Sequence, residues 1–286
     1  MADFFNVMRK LQCSAEKKII VYTCIARGYD YLLPPVWLDP SIEFFCFSDD
    51  IDDESAGWQV TDIPENEYSV DPVIRNRFCK MFPWKVLPKH DWSIYIDANI
   101  RLLSDPSPII TQVESAGYQM AIPAHPHRSN IWEEVEACLR RKKFKPEDEV
   151  QVQGQLERYK QSGLTSGSGL TENNIIIRSG NRDVLEPVMQ LWWDEFVSGV
   201  KRDQISLPYI LFKTKTEIYR LPFSSRDNNP YFRIVPHRKP GNIGNYLAAR
   251  QYHGLFWKSA FHAYRIVSGV MRRLRRGFAL VVGYAR

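Results

Sequence analysis

The chain has 286 residues, 44% of them hydrophobic and 25% charged, which suffices for one large α/β domain with a full core and excludes a disordered or fibrous chain. Its net charge of +5 hides an asymmetry: residues 228–286 carry eleven Lys and Arg and no Asp or Glu, leaving residues 1–227 at −6. Five scattered cysteines without a CxxC pair (Cys13, Cys24, Cys46, Cys79, Cys138) argue for a reduced compartment and against a structural zinc cluster. Met1 to Lys10 lacks a signal-peptide core and no run is apolar enough to span a bilayer, so the expected location is cytoplasmic.

In chain order, Lys17 to Ile25 reads as a first buried strand, followed by a glycine-containing turn over Ala26 to Asp30. Ile42 to Phe47 is a second strand, ending at Ser48-Asp49-Asp50, and Trp58 to Ile63 a third. A helix is expected around Val73 to Phe82. The run from Trp92 to Ile100 reads as a strand buried on both faces. Strands separated by crossovers predict a mostly parallel sheet, with the ends after Thr23, Phe47 and Ile96 converging on one crevice, where Thr23 is a candidate for the donor. Asn130 to Arg141 has helical apolar spacing and places acids early and bases late, as the helix dipole favours. Further helices are expected over Glu149 to Gln161 and Val184 to Phe196, with a strand at Asn174 to Arg178 between them. An apolar segment follows Lys201-Arg202-Asp203-Gln204-Ile205.

The most informative stretch is Tyr95-Ile96-Asp97-Ala98-Asn99, an apolar strand ending in a carboxylate, one small residue and an amide. Oxygen donors so spaced can hold a divalent cation against a diphosphate, and the same pattern also closes ordinary turns. Arg75 and Lys80, on the preceding helix, are candidate diphosphate clamps, with a solvated helix surface as the competing reading. Asp49 is a candidate to accept hydrogen bonds from a ribose or base, with an ordinary turn as the competing reading. Ser168 and Gly169, in the Ser/Gly loop, are candidates for close backbone approach to substrate, against a plain surface loop. His125 and His127, with Arg128 beside them, are candidates for sugar contact, for metal ligation, or for simple loop polarity. Asp203 either caps a helix or takes the proton of an acceptor hydroxyl, with Gln204 orienting the sugar.

These segments resemble a known family. The motif at Tyr95 to Ile100, His125-x-His127-Arg128 with Trp132-Glu133-Glu134, Gln151-x-Gln153, Asn174 to Arg178, Leu191-Trp192-x-Asp194-Glu195 and Arg202-Asp203-Gln204-Ile205-Ser206 are similar, in order and spacing, to the glycosyltransferase-like domain of the plant mucilage and turgor-regulation proteins and their bacterial relatives. The resemblance covers about residues 17–215. It implies an α/β, GT-A-like nucleotide-binding sandwich with a mostly parallel mixed sheet. It also implies a nucleoside-diphosphate sugar as donor, and Mn²⁺ or Mg²⁺ at Asp97 and Asn99. Asn99 brings no charge to that motif. By analogy with GT-A enzymes, a late histidine, His237, joins the metal or diphosphate, and Arg238 and Lys239 join the donor site.

The domain is expected to occupy residues 1–228, and residues 229–286 to form a basic extension. From Trp257 onward bulky apolar residues alternate with arginines, as in an amphipathic helix at an anionic membrane surface. The expected acceptor is then a glycan, lipid-linked or near the membrane, and a nucleic-acid partner is not expected. Two other activities are open: a lipid amide or ester hydrolase with a His125/His127/Asp metal site, and a non-catalytic sugar-nucleotide binder.

Overall fold

The structure, a computed structural model, describes residues 17–50, 57–65 and 70–283, with side chains to residue 271. Met1 to Lys10, Cys13 and the arginines from Arg272 onward lie outside the residues whose side chains are described. The elements are β1 (Ile19–Ile25), β2 (Ile42–Ser48), β3 (Gln59–Thr61), α1 (Pro72–Met81), α2 (Pro83–Val86), β4 (Trp92–Ile96), β5 (Ile100–Leu102), α3 (Ser107–Ser115), β6 (Met120–Pro123), α4 (Ile131–Arg140) and α5 (Pro146–Gln161). There follow β7 (Ile175–Ser179), α6 (Arg182–Ser198), α7 (Asp203–Thr214), β8 (Tyr219–Leu221), β9 (Phe232–Ile234), α8 (Ile243–Arg250) and α9 (Leu255–Gly283).

A seven-stranded sheet runs β3-β2-β1-β4-β7-β6-β8. All of its pairings are parallel except those of β7, which is antiparallel to both β4 and β6. This is the mostly parallel mixed sheet of a GT-A-like α/β fold. Alternation along each strand feeds two cores, because successive side chains leave a strand on opposite faces. Tyr22, Tyr95 and Ile176 face one core with Phe78 of α1, Val135 of α4, Trp192 and Trp193 of α6 and Ile205 of α7. Val21, Ile94, Ile96 and Ile177 face the other, with Ile109 and Val113 of α3, Leu102 and Phe232.

Two expectations are corrected here. The strand predicted from Trp92 to Ile100 stops at Ile96: Ile100 N–H donates to Asp97 O at 2.8 Å, so Asp97 to Ile100 is a turn that reverses the chain into β5. The segment after residue 228 is not an extension from its start, because β9 pairs antiparallel with β5 and buries Phe232. Leu33, Val235, Ala248 and Ala249 form a third, small core that ties α8 to the body.

Arg178 is fully buried on the first core face, where its guanidinium donates to Tyr22 Oη and to the carbonyls of Lys80 (2.6 Å) and Met81 (3.3 Å). Burial pushes its pKa down. It satisfies the last carbonyls of α1 and so fixes where that helix ends against the sheet. Arg178→Ala, which orphans those carbonyls, is expected to lower the unfolding free energy by about 3 kcal/mol. An unchanged urea midpoint would show that the guanidinium contributes nothing net.

Candidate functional site

A cavity of about 880 Å³ opens at the carboxyl ends of β1 and β4, lined by Cys24, Ile25 and Ala26 at the end of β1 and by Tyr95, Asp97, Ala98 and Asn99 at the end of β4. The size suits a small-molecule ligand, and the position is where open α/β sheets bind one. Asp97 and Asn99 therefore share the predicted crevice. Their environments differ. The Asp97 side chain is 32% exposed and accepts from Tyr95 Oη at 3.0 Å. Asn99 is 3% exposed and donates from Nδ2 to Val235 O at 2.8 Å, while Val235 N–H donates to Asn99 O at 2.8 Å.

Helix α1 carries the cations to this crevice. Asp71 caps it by accepting from Val73 N–H, and Pro72 starts it. Arg77 and Lys80, three residues apart, share a face, and both reach Asp203: Lys80 Nζ lies 2.7 Å and Arg77 Nε 3.3 Å from its Oδ2. Lys80 Nζ is also 3.8 Å from Asp97 Oδ1 and 5.0 Å from the Tyr95 ring centre. Burial pushes the Lys80 ammonium down, against the pull of Asp203 and Asp97. Burial would raise the Asp203 carboxyl, but Arg77 and Lys80 overrule it and hold it well below the usual carboxylate range. Asp203 opens α7 without capping it. Asn173 Nδ2 (3.1 Å) and Trp192 Nε1 (3.2 Å) donate to its backbone carbonyl.

The same construction recurs twice on the cavity wall. Glu134, 2% exposed, stands between Arg128 (Nε at 2.5 Å) and Arg202 (Nη2 at 3.5 Å). Glu172, also buried, pairs with Arg226 at 2.6 Å and accepts from Ser224 Oγ at 2.5 Å. Five of the cations that line the cavity, Arg77, Lys80, Arg128, Arg202 and Arg226, are thus each placed by a buried carboxylate. Of these, sequence reasoning named only Lys80 and Arg128 as site residues. Arg77 was visible in the Arg75-Asn76-Arg77 run, and its three-residue spacing from Lys80 was the available signal.

Other expected site residues stand elsewhere. Thr23 is fully buried and its hydroxyl is sealed in the sheet with no hydrogen-bond partner. Asp49 accepts from Arg27 N–H and pairs with Arg75 at 2.5 Å, so these two answer each other outside the cavity lining, and Arg75 does not share an edge with Lys80. Ser168 and Gly169 are likewise outside the lining. Gly169, at φ +75°, makes room for Arg220, whose Nη2 would sit 2.7 Å from an added Cβ and which donates to Ser168 O. His125 lines the cavity, and its Nδ1 accepts from the backbone N–H groups of His127 (3.1 Å) and Arg128 (2.9 Å). His127 is exposed and outside the lining. Gln204 lines the cavity, oriented by donation to Thr171 O at 2.8 Å. Arg238 holds the Gly28 turn instead of the cavity, donating to Gly28 O at 2.9 Å, and Lys239 is exposed.

His237 closes the wall. Its Nδ1 lies 2.6 Å from buried Asp30, and its Nε2 faces Asn99 Nδ2 at 3.4 Å. The Asp30 hydrogen bond raises its pKa. A carboxylate holding one imidazole nitrogen so that the other faces a site is how metal-ligating histidines are oriented. Asp97, Asn99 and His237 line one stretch of the cavity wall, where Asn99 turns its Nδ2 toward the imidazole. They do not form a closed cage: among the described residues no three His, Cys, Asp or Glu gather to hold a metal. The four described cysteines are free and buried.

Sheet and crevice together are those of a GT-A-like α/β domain. The chain belongs to the TOD1/MUCI70 glycosyltransferase-like domain family, whose pattern matches residues 5–229. It is similar to the alkaline ceramidase TOD1 of Arabidopsis thaliana, at 27% identity over 169 residues, covering 51% of this chain and 36% of that protein. The match thus spans about a third of that relative's length.

Two outcomes follow from the charges. The depressed Asp203 carboxyl contributes stability above the unfolded aspartate pKa, near pH ~4, and that contribution is lost as pH falls through the folded value. Asp203→Asn should therefore be less stable at neutral pH and show a flatter acid limb in urea midpoints; parallel profiles would remove the ion pair from the account. His237 is raised, so its contribution is full at low pH and lost as pH rises through the folded value. In Asp30→Asn, imidazole NMR should show its titration moving to lower pH, and an unmoved titration would refute the pairing.

Proposed function

We propose that this chain transfers a sugar from a nucleoside diphosphate to a hydroxyl acceptor. The observation that carries the reading is the array of cations, Arg77, Lys80, Arg128, Arg202 and Arg226, around the cavity into which Asp97 opens. Such fixed positive charge suits a ligand whose negative charge grows as it leaves, because preorganised groups stabilise developing charge without reorganising. In the transfer, the bond from the anomeric carbon to the phosphate oxygen breaks and the diphosphate keeps the electron pair. The acceptor oxygen bonds the anomeric carbon, and its proton passes to the departing diphosphate, whose bridging oxygen has gained the electron pair. Arg77 and Lys80 would face the diphosphate, held apart by Asp203.

Asp203 is a weak base while those two cations hold it, so its role in this reading is to position them. Asp97 is the carboxylate that opens to the cavity at the end of β4. A divalent cation, Mn²⁺ or Mg²⁺, would be held by Asp97, Asn99 and His237 and would neutralise the leaving diphosphate. His125 and Gln204 are placed for sugar or acceptor hydroxyls.

A second reading comes from the name of the relative, a ceramidase, which would make this chain a lipid amide hydrolase. The His125/His127/Asp metal site expected for it does not assemble here, since His127 stands outside the cavity. A non-catalytic binder would share the donor site and show no turnover.

Thermal shift against nucleoside diphosphates and their sugars, with and without Mn²⁺, tests the reading. One nucleotide class should stabilise the protein, and Arg77→Ala should weaken that binding by roughly tenfold or more, the worth of a charge-assisted hydrogen bond. Fatty-acid release from ceramide by a protein that no nucleotide stabilises would overturn transfer in favour of hydrolysis.

A further inference from the structure

We propose that α9 seats the protein on an anionic phospholipid surface, lying in its plane. The helix runs over 29 residues, Leu255–Gly283, about 43 Å at 1.5 Å per residue. One edge is taken up by the body. Trp257 meets Tyr246 edge-on with ring centres 5.7 Å apart, and Phe261 packs on the small core of Leu33, Val235, Ala248 and Ala249. The other side is bare: Phe256 is 75%, Ile266 64%, Val267 62% and Met271 50% exposed. Ile266 with Val270 and Val267 with Met271 are four residues apart, and Phe256 precedes Val267 by three helical turns, so they form one stripe. A contiguous apolar stripe of this kind marks an interaction surface.

Charge selects the occupant. The eleven cations from residue 228 onward, Lys258 and Arg265 on α9 among them, have no acidic residue in that segment. At 100° per residue Lys258 and Arg265 stand on the side of the helix away from that stripe, so anionic headgroups would be drawn by the net positive charge of the whole segment and would meet no like charge in it. A second copy of the chain would set cations against cations, and a nucleic acid would leave the apolar stripe in water. Among the described residues no helix is long and apolar enough to cross a membrane, which leaves the in-plane arrangement. The seated helix is also close to the chemistry. It packs on α8, and Asn245 of α8 donates to His237 O at 2.7 Å, so α9 is joined through one helix to the cavity wall. Where the transfer reading also holds, the acceptor presented there is lipid-linked or near the membrane.

Co-sedimentation of the full chain with vesicles tests the proposal. Binding should appear on phosphatidylcholine vesicles containing phosphatidylglycerol, be weak on phosphatidylcholine alone, and fall as salt is raised. Val267→Glu with Val270→Glu should cut it by roughly tenfold or more. Both positions are solvent-facing, so the variant's thermal shift with nucleotides should stay unchanged, which separates a failure of this proposal from a failure of the donor site. Four results would overturn it: no binding to the anionic vesicles, equal binding to neutral ones, binding indifferent to the double substitution, or a doubled mass in solution that the substitution halves, since a second copy would then cover the stripe.

Discussion

The contact between Lys80 and Asp203 is the interaction on which the site depends. A buried lysine and a buried aspartate each cost several kcal/mol in lost hydration, and removing either alone leaves the other uncompensated. The pair lasts because the surroundings over-determine it. Arg77 adds a second cation to Asp203, Asp97 adds a second carboxylate to Lys80, and the backbone of Asp203 is pinned by Asn173 and Trp192. A hydrophobic pair of the same volume would serve stability as well or better. Retaining charge here makes physical sense if the charges meet a ligand.

Glu134 and Glu172 repeat the logic, and the repetition gives it weight. Each buried carboxylate fixes cations that would otherwise swing on flexible stems, so their positive charge is presented in place before a ligand arrives. Carboxylates and cations both line the cavity. Asp97 differs from all three, because a third of its side chain stays open and its nearest donor is a tyrosine hydroxyl. Within one crevice the fold thus separates carboxylates buried against cations from a carboxylate that stays partly open.

The cavity is closed by chain from far along the sequence. The turn at Asp97 to Ile100 is locked by Val235, and the wall at His237 by Asp30, which follows β1. The family pattern ends at residue 229. The β9 strand, His237 and the helices that carry α9 therefore come after the shared domain, yet they complete its crevice. This coupling gives α9 a mechanical connection to the site: α9 bears on α8, and α8 holds the carbonyl of His237.

Hydrophobic periodicity alone determined the existence of β1, β2, β4 and β7 and of helices α1, α4, α5 and α6, because fully buried strands and amphipathic helices write their burial directly into residue order. The family motifs, read in order, determined the GT-A-like fold, and the apolar run ending at Asp97 located the crevice. Tertiary structure alone decided the charges. Whether Arg75 or Arg77 joins Lys80 depends on the rotation of α1, set by Asp71 at one end and by Arg178 at the other. Thr23, Asp49, Ser168 and Gly169 looked available because strand ends and loops often are. Packing sealed Thr23, Arg75 engaged Asp49, and Arg220 filled the space at Gly169. The partners of Asp203, Glu134, Glu172 and His237 lie between 6 and 207 residues away, and most of those distances are spanned only by the folded sheet.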